Sequence, residues 1–197
     1  NGSAEFAYDG NAALIGGTDI TSSFSDDVYL SKEIALGFSF PFYGKAYDRV
    51  YISSFGGIAF NNGENVYRSP LTETAYGLDG VAYISAYGYE LAFGPESKVE
   101  YAKKDGKFVV NYSNVMALVY DQDYTPISFR IVLSSNGDIE VYYDSYEAAS
   151  LFQSGSTLYC GIHDPEDADP LTVTSADVAD YWGNNDDPAG DVYKYFT

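Results

Sequence analysis

Cysteine and histidine are almost absent from this chain of 197 residues, which holds one of each, Cys160 and His163. A single cysteine excludes an intrachain disulfide, and one cysteine with one histidine supplies too few ligands for a typical zinc site. Their spacing puts the two side chains on opposite faces of the strand predicted there. No G-x-S-x-G motif supplies a nucleophile for a Ser-His-Asp triad. The sequence therefore predicts a protein that is not an enzyme.

Basic residues are scarce too: 10 Lys and Arg against 29 Asp and Glu give a formal net charge of -19. This charge repels phosphate backbones and anionic membrane surfaces, so we expect neither nucleic acid nor a membrane as a partner. The sequence has no apolar run of membrane-spanning length and no visible signal peptide. We interpret it as a segment of a larger exported chain, extracellular, at the cell surface or secreted.

Aromatic residues are abundant, with 21 Tyr and 12 Phe, and they favour strands. Gly, Pro, Asn and Asp separate short apolar or alternating runs, which is typical of a sandwich or barrel. We expect one all-β domain over residues 1–197, an antiparallel β-sandwich of jelly-roll type with at most one or two short helices. The predicted strands are 4–8, 34–40, 50–53, 57–60, 81–86, 98–103, 108–113, 128–134, 139–143, 157–162 and 191–196; the predicted helices are 145–152 and 174–182.

Two hairpins are predicted from their turns. Residues 128–134 and 138–143 alternate in polarity on either side of Asn136-Gly137, a pair that tolerates the positive φ of a tight turn. Residues 99–101 and 108–110 flank Asp105-Gly106 in the same way. Gly56-Gly57 indicates a close backbone approach or a bulge.

Three blocks carry a family resemblance. They are GFSFPFYGKAYDRVYISSFGGIAF at 37–60, GKFVVNYSNV at 106–115, and FRIVLSSNGDIEVYY at 129–143 with GIHD at 161–164. Together they resemble the nidogen-like (NIDO-like) extracellular β-module of bacterial and archaeal surface proteins and adhesins. The resemblance implies an extracellular setting and no particular reaction. Two departures are Phe55, where the family usually has Asn, and residues 82–89, which replace an acidic P-x-W-x-D segment.

Acidic residues are concentrated in three segments, which we interpret as candidate calcium sites. Clustered carboxylates repel one another unless a cation or solvent compensates, and calcium takes about six to eight oxygen ligands from such loops. None of the segments has EF-hand spacing, and solvated loops that keep the protein soluble are the alternative. The candidate ligands are Asp121 and Asp123; Asp164, Glu166, Asp167 and Asp169; and Asp186, Asp187 and Asp191.

Tyrosines spaced by glycine form a candidate ligand-binding loop that includes Tyr83, Tyr87 and Tyr89. Flat side chains on such a loop stack on sugar rings or clamp a peptide. The alternative is that residues 81–86 form a buried central strand. Tyr181 and Trp182, beside acidic residues, are a second candidate.

We therefore expect a calcium-dependent, adhesin-type module that binds a glycan or peptide on a cell or matrix surface, joined to neighbouring domains of the same chain. One alternative is a structural spacer, which predicts no concave aromatic patch. The other is an accessory or catalytic domain of a secreted hydrolase, which predicts a cleft with facing carboxylates.

Overall fold

The computed structural model describes residues 17–25, 28–61, 82–87, 91–118, 124–143, 159–163, 171–174 and 192–195. In chain order the strands are β1 Thr18–Asp19, β2 Ile34–Phe42, β3 Lys45–Ser53, β4 Gly57–Ala59, β5 Tyr83–Ser85, β6 Leu91–Ala92, β7 Lys98–Lys104, β8 Lys107–Leu118, β9 Tyr124–Ser134, β10 Ile139–Tyr143, β11 Tyr159–His163, β12 Leu171–Thr174 and β13 Val192–Tyr195. Within these ranges the helical structure is one 3₁₀ turn, Thr21–Ser23. The predicted all-β class is confirmed.

The strands form two antiparallel sheets. Sheet 1 has the order β1-β7-β8-β9-β10-β13, with β6 also paired to β8, and sheet 2 has the order β12-β11-β5-β4-β3-β2. Most predicted strands are present, several with longer bounds, and the strand predicted at 191–196 is β13. The strand predicted at 4–8 and the helix at 145–152 lie outside the described residues. So does the helix at 174–182, apart from Thr174, which ends β12.

Turn chemistry sets the register of sheet 1. Lys104 pairs with Lys107, so Asp105 and Gly106 form a two-residue turn with φ of 50° and 74°, as predicted. The hairpin at Asn136-Gly137 is also confirmed. Its turn has three residues, 135–137, because the Ser134 amide donates a hydrogen bond to the Asp138 carbonyl oxygen. Only Gly137 has positive φ there, 96°. The Asn136 Oδ1 instead accepts a hydrogen bond from the Asp138 backbone amide at 3.2 Å, so Asn136 stabilises the turn through an Asx-type hydrogen bond.

Aromatic side chains fill the space between the sheets. Along β2 the buried residues alternate with exposed ones, so one face of that strand is directed into the core. Phe40 stacks on Phe60 at a centroid distance of 5.4 Å, and Tyr112 stacks on Phe129 at 4.5 Å. Each fully buried aromatic of this kind contributes about 1.5–3 kcal/mol through loss of water contact. One continuous core therefore holds the sandwich together.

We name the two ends of the sandwich, the Pro41 end and the Ser54 end, after residues at which the two sheets contact each other. At the Pro41 end, the Gly137 turn of sheet 1 lies against Pro41 of sheet 2, because a Cβ on Gly137 would stand 3.0 Å from the Pro41 Cγ. At the Ser54 end, the Leu91 amide donates to the Ser54 carbonyl oxygen at 3.3 Å, and Leu91 pairs with Ala117 of sheet 1. These contacts fix which strand ends lie together.

Candidate functional site

Several strand ends gather at the Ser54 end. Strand pairing shows that the described residues on either side of segments 88–90, 119–123, 144–158 and 175–191 all lie at the Ser54 end; these residues bracket the segments. The bracketing pairs are Tyr87 and Leu91, Leu118 and Tyr124, Tyr143 and Tyr159, and Thr174 and Val192. Segment 164–170 is bracketed by His163 and Leu171, which lie at the opposite, Pro41 end.

This arrangement divides the predicted ligands between the two ends. The predicted residues whose segments are bracketed at the Ser54 end are Tyr89, Asp121, Asp123, Tyr181, Trp182, Asp186, Asp187 and Asp191. The acidic residues whose segment is bracketed at the Pro41 end are Asp164, Glu166, Asp167 and Asp169. All of these residues themselves lie outside the described part of the chain. Across the described ranges, no group of three or more His, Cys, Asp or Glu could hold a metal ion.

Tyr83 and Tyr87 are not surface residues. Tyr83 is 0% exposed in the central strand β5, and Tyr87 is 3% exposed. Tyr87 stacks on Phe129 at 6.2 Å. The alternative of a buried strand is therefore the one that the structure adopts, and neither ring offers a face to a ligand in this arrangement. The strand β5 lies between β4 and β11, in the interior of sheet 2.

The Tyr83 ring covers small residues on the outer face of sheet 2. A Cβ at Gly57 would overlap the Tyr83 hydroxyl and the Ile84 carbonyl oxygen, so only glycine fits there. Among the described residues, the Tyr83 hydroxyl is the buried side-chain polar group without a hydrogen-bond partner. Burial raises the pKa of Tyr83, and the nearby Ser53 hydroxyl opposes that shift without reaching hydrogen-bond geometry.

The outer face of sheet 1 is built differently. On β8 and β9 the core-facing residues are 108, 110, 112, 129, 131 and 133, so the alternate positions are directed outward. These outward positions are buried as well, and several of them are charged or polar. We call Lys98, Glu100, Asn111, Ser113, Arg130, Glu140 and Tyr142 the outer polar cluster; all are buried except Lys98.

Hydrogen bonds connect the members of the outer polar cluster. Arg130 donates from Nε to the Asn111 Oδ1 at 3.2 Å, and the Asn111 side-chain amide donates to the Ser113 hydroxyl at 2.7 Å. The Lys98 ammonium lies 2.9 Å from a Glu100 carboxylate oxygen. Charges removed from water require such partners. The cluster therefore consists of buried polar groups with partners rather than of an exposed charged patch.

Tyr142 and Glu140 close the cluster at β10. The Tyr142 hydroxyl donates to a Glu140 carboxylate oxygen at 3.2 Å. Burial, and then the negative charge of Glu140, raise the pKa of Tyr142 to about 12. The phenol therefore stays neutral as a donor under ordinary conditions.

Sequence reasoning did not single out the outer polar cluster. Its members alternate with core residues, which is also the pattern of strands with one solvated face. The charged residues Glu100 and Arg130 were consequently indistinguishable from surface residues. Burial of that face is a property of the tertiary structure, and no local signal in the sequence reports it.

Comparison with known proteins gives one match, to a family model described as NIDO related, over residues 4–194. No curated protein and no solved structure matches the chain. Phe55, the departure from the family pattern, is buried and packs on Tyr29 at 5.5 Å. In the described ranges, no helix has the length and apolar character that crossing a membrane requires.

Proposed function

Because the chain belongs to the NIDO-related family and is an extracellular β-module, we propose that it is a calcium-dependent, adhesin-type binding module. Its ligand is a glycan or a peptide on a cell or matrix surface. The proposed role is binding without a chemical reaction. The ligand and the ion are bound at the Ser54 end of the sandwich.

The observation that carries this proposal is the convergence of strand ends at the Ser54 end. Two acidic segments, 119–123 and 175–191, are bracketed there, and the second also contains Tyr181 and Trp182. Together the two segments offer calcium more carboxylate oxygens than either offers alone, and the ion takes about six to eight oxygen ligands. Loops held on a rigid sandwich are a common place for binding residues.

The segment at the Pro41 end provides an internal comparison. It contains Asp164, Glu166, Asp167 and Asp169, but its bracketing strands do not converge with those of the other acidic segments. By acidic composition alone, the Pro41 end and the Ser54 end are equally good candidates for the calcium site. The topology favours the Ser54 end.

Calcium binding is tested by thermal unfolding with excess calcium and with chelator. A site that binds only in the folded state stabilises it by about 2.7 kcal/mol at a ligand concentration 100-fold above Kd. We expect a higher Tm with calcium for the unaltered chain. The variant Asp121→Asn/Asp123→Asn/Asp186→Asn/Asp187→Asn loses this increase. The matched control, Asp164→Asn/Glu166→Gln/Asp167→Asn/Asp169→Asn, keeps it.

Ligand binding is tested on glycan and peptide arrays with the same three proteins and with Trp182→Ala. We expect calcium-dependent binding by the unaltered chain and by the control variant, and a loss of binding both in the variant that lacks the four aspartates and in Trp182→Ala. Coincident melts with and without calcium contradict the ion site. No binding on either array in calcium favours the second candidate, a structural spacer, which the burial of Tyr83 and Tyr87 also supports.

A further inference from the structure

Lysine, carboxylate and amide side chains of the outer polar cluster lie at neighbouring register positions of two paired strands, β7 and β8. Glu100 of β7 lies directly opposite Asn111 of β8, and Lys98 lies opposite Ser113. The Lys98 ammonium contacts Glu100 at 2.9 Å. The Asn111 amide is directed along its strand toward Ser113, whose hydroxyl accepts from it at 2.7 Å. The amide therefore points toward the row occupied by Lys98.

Each group in this set matches a role in acyl transfer to an amine. Lys98 is a nucleophile, Glu100 is a buried proton acceptor in contact with it, and Asn111 carries the electrophilic carbon. Arg130 donates from Nε to the amide oxygen of Asn111 at 3.2 Å, where negative charge develops during attack. Glu100 and Asn111 are 2% and 0% exposed, so water competes little at the carbonyl.

We propose that Lys98 and Asn111 become joined by an intramolecular isopeptide bond, formed in the folded chain with Glu100 as the base. The inference is independent of the proposed calcium and ligand sites. It assigns a covalent cross-link to a chain whose single cysteine excludes an intrachain disulfide.

The step balances without any outside reagent. Glu100 takes a proton from the Lys98 ammonium, and the neutral Nζ attacks the Asn111 Cγ to form a C–N bond. Arg130 stabilises the negative oxygen of the tetrahedral intermediate. The bond from Cγ to Nδ2 then breaks as the leaving nitrogen takes one proton from Nζ and the proton that Glu100 held, so it leaves as ammonium and Glu100 is again a carboxylate. The products are one secondary amide and one ammonium ion.

The Glu100 contact has two effects on Lys98. It raises the pKa of Lys98 before reaction, so the resting amine is protonated. The same contact gives that proton a direct path to the carboxylate. We therefore expect cross-linking to be slow compared with folding and to go to completion in the stored protein.

Intact-mass spectrometry of the 197-residue chain tests the bond. We expect the aged, folded protein to be lighter than its sequence by one ammonia, and a digest to contain one branched peptide joining Lys98 to Asn111. Lys98→Arg, which keeps a positive charge beside Glu100, and Glu100→Gln should both have the full sequence mass. Circular dichroism verifies that these variants are folded.

A second source of ammonia loss must be separated from this one. Three Asn-Gly pairs, Asn1-Gly2, Asn62-Gly63 and Asn136-Gly137, can each close to a succinimide, which also releases ammonia. The variant Asn1→Ala/Asn62→Ala/Asn136→Ala removes that route and should retain both the mass loss and the branched peptide. The full sequence mass in the aged wild-type chain, or a loss that maps only to these asparagines, overturns the proposal. Cross-linked protein should also melt at a higher temperature than Lys98→Arg.

Discussion

The two sheets bury their outer faces by different means. Sheet 1 has Glu100, Asn111 and Arg130 there, each at most 3% exposed. Sheet 2 has the buried residues Gly57 and Ser85 there, with the Tyr83 hydroxyl packed directly against Gly57. One face is stabilised by pairing of charges, and the other by close fit around small residues. The difference shows that burial alone does not identify a hydrophobic surface.

The difference also predicts unequal sensitivity to substitution. Removing one partner from a buried charge network leaves the other charge uncompensated, which costs more than most packing changes. Adding a methyl group to a tight contact strains the neighbours by a smaller amount. Four substitutions, in three comparisons, test this order.

The largest effect is expected for Arg130→Met, which leaves the buried Asn111 amide oxygen without its donor and removes the positive charge that, like the negative charge of Glu140, lies close enough to affect the pKa of Tyr142. We expect the free energy of unfolding to fall by about 3–5 kcal/mol, measured by urea titration. Arg49→Met is the matched control. Arg49 pairs with Glu33, but its side chain is 58% exposed, so its loss should cost less than about 1 kcal/mol. Equal losses for the two variants would show that the outer polar cluster contributes no special stability.

An intermediate effect is expected for Gly57→Ala. Its Cβ would overlap the Tyr83 hydroxyl and the backbone oxygen of Ile84, and the second cannot rotate away. We expect a loss of about 1–3 kcal/mol by the same titration. Gly94→Ala is the control, because its Cβ would have its nearest neighbour, the Met116 Cγ, at 3.7 Å. A tolerated Gly57→Ala would mean that the outer face of sheet 2 is loosely packed.

The smallest effects are expected for two substitutions that each remove a tyrosine hydroxyl, one with hydrogen-bond partners and one without. The Tyr112 hydroxyl donates to the Ser53 carbonyl oxygen at 2.6 Å, with the Gly57 carbonyl oxygen 3.2 Å away. Tyr112→Phe should therefore cost about 1–2 kcal/mol. Tyr83→Phe removes a hydroxyl without a partner and should change stability by less than about 0.5 kcal/mol, or increase it. The reverse ranking in thermal or urea unfolding would contradict these hydrogen-bond assignments.

Sequence reasoning predicted the fold from local signals. Asp105-Gly106 and Asn136-Gly137 marked two hairpins, and alternation in 128–143 marked which residues face the core. It missed the three-residue form of the second turn, because the one-residue difference depends on the register between Leu133 and Ile139. It left Tyr83 open between loop and strand, because a short run of aromatics fits both.

The sequence by itself determined the strands, the turns, the acidic balance and the family resemblance, since each depends on residues close together in the chain. Only the tertiary structure decided that Tyr83 is buried and that Glu100, Asn111 and Arg130 are buried on one face of sheet 1. It also decided which strand ends flanking the acidic segments lie at the same end of the sandwich. The physical reason is that burial and charge pairing depend on strands distant in sequence, and their registers are set by packing across the whole sandwich.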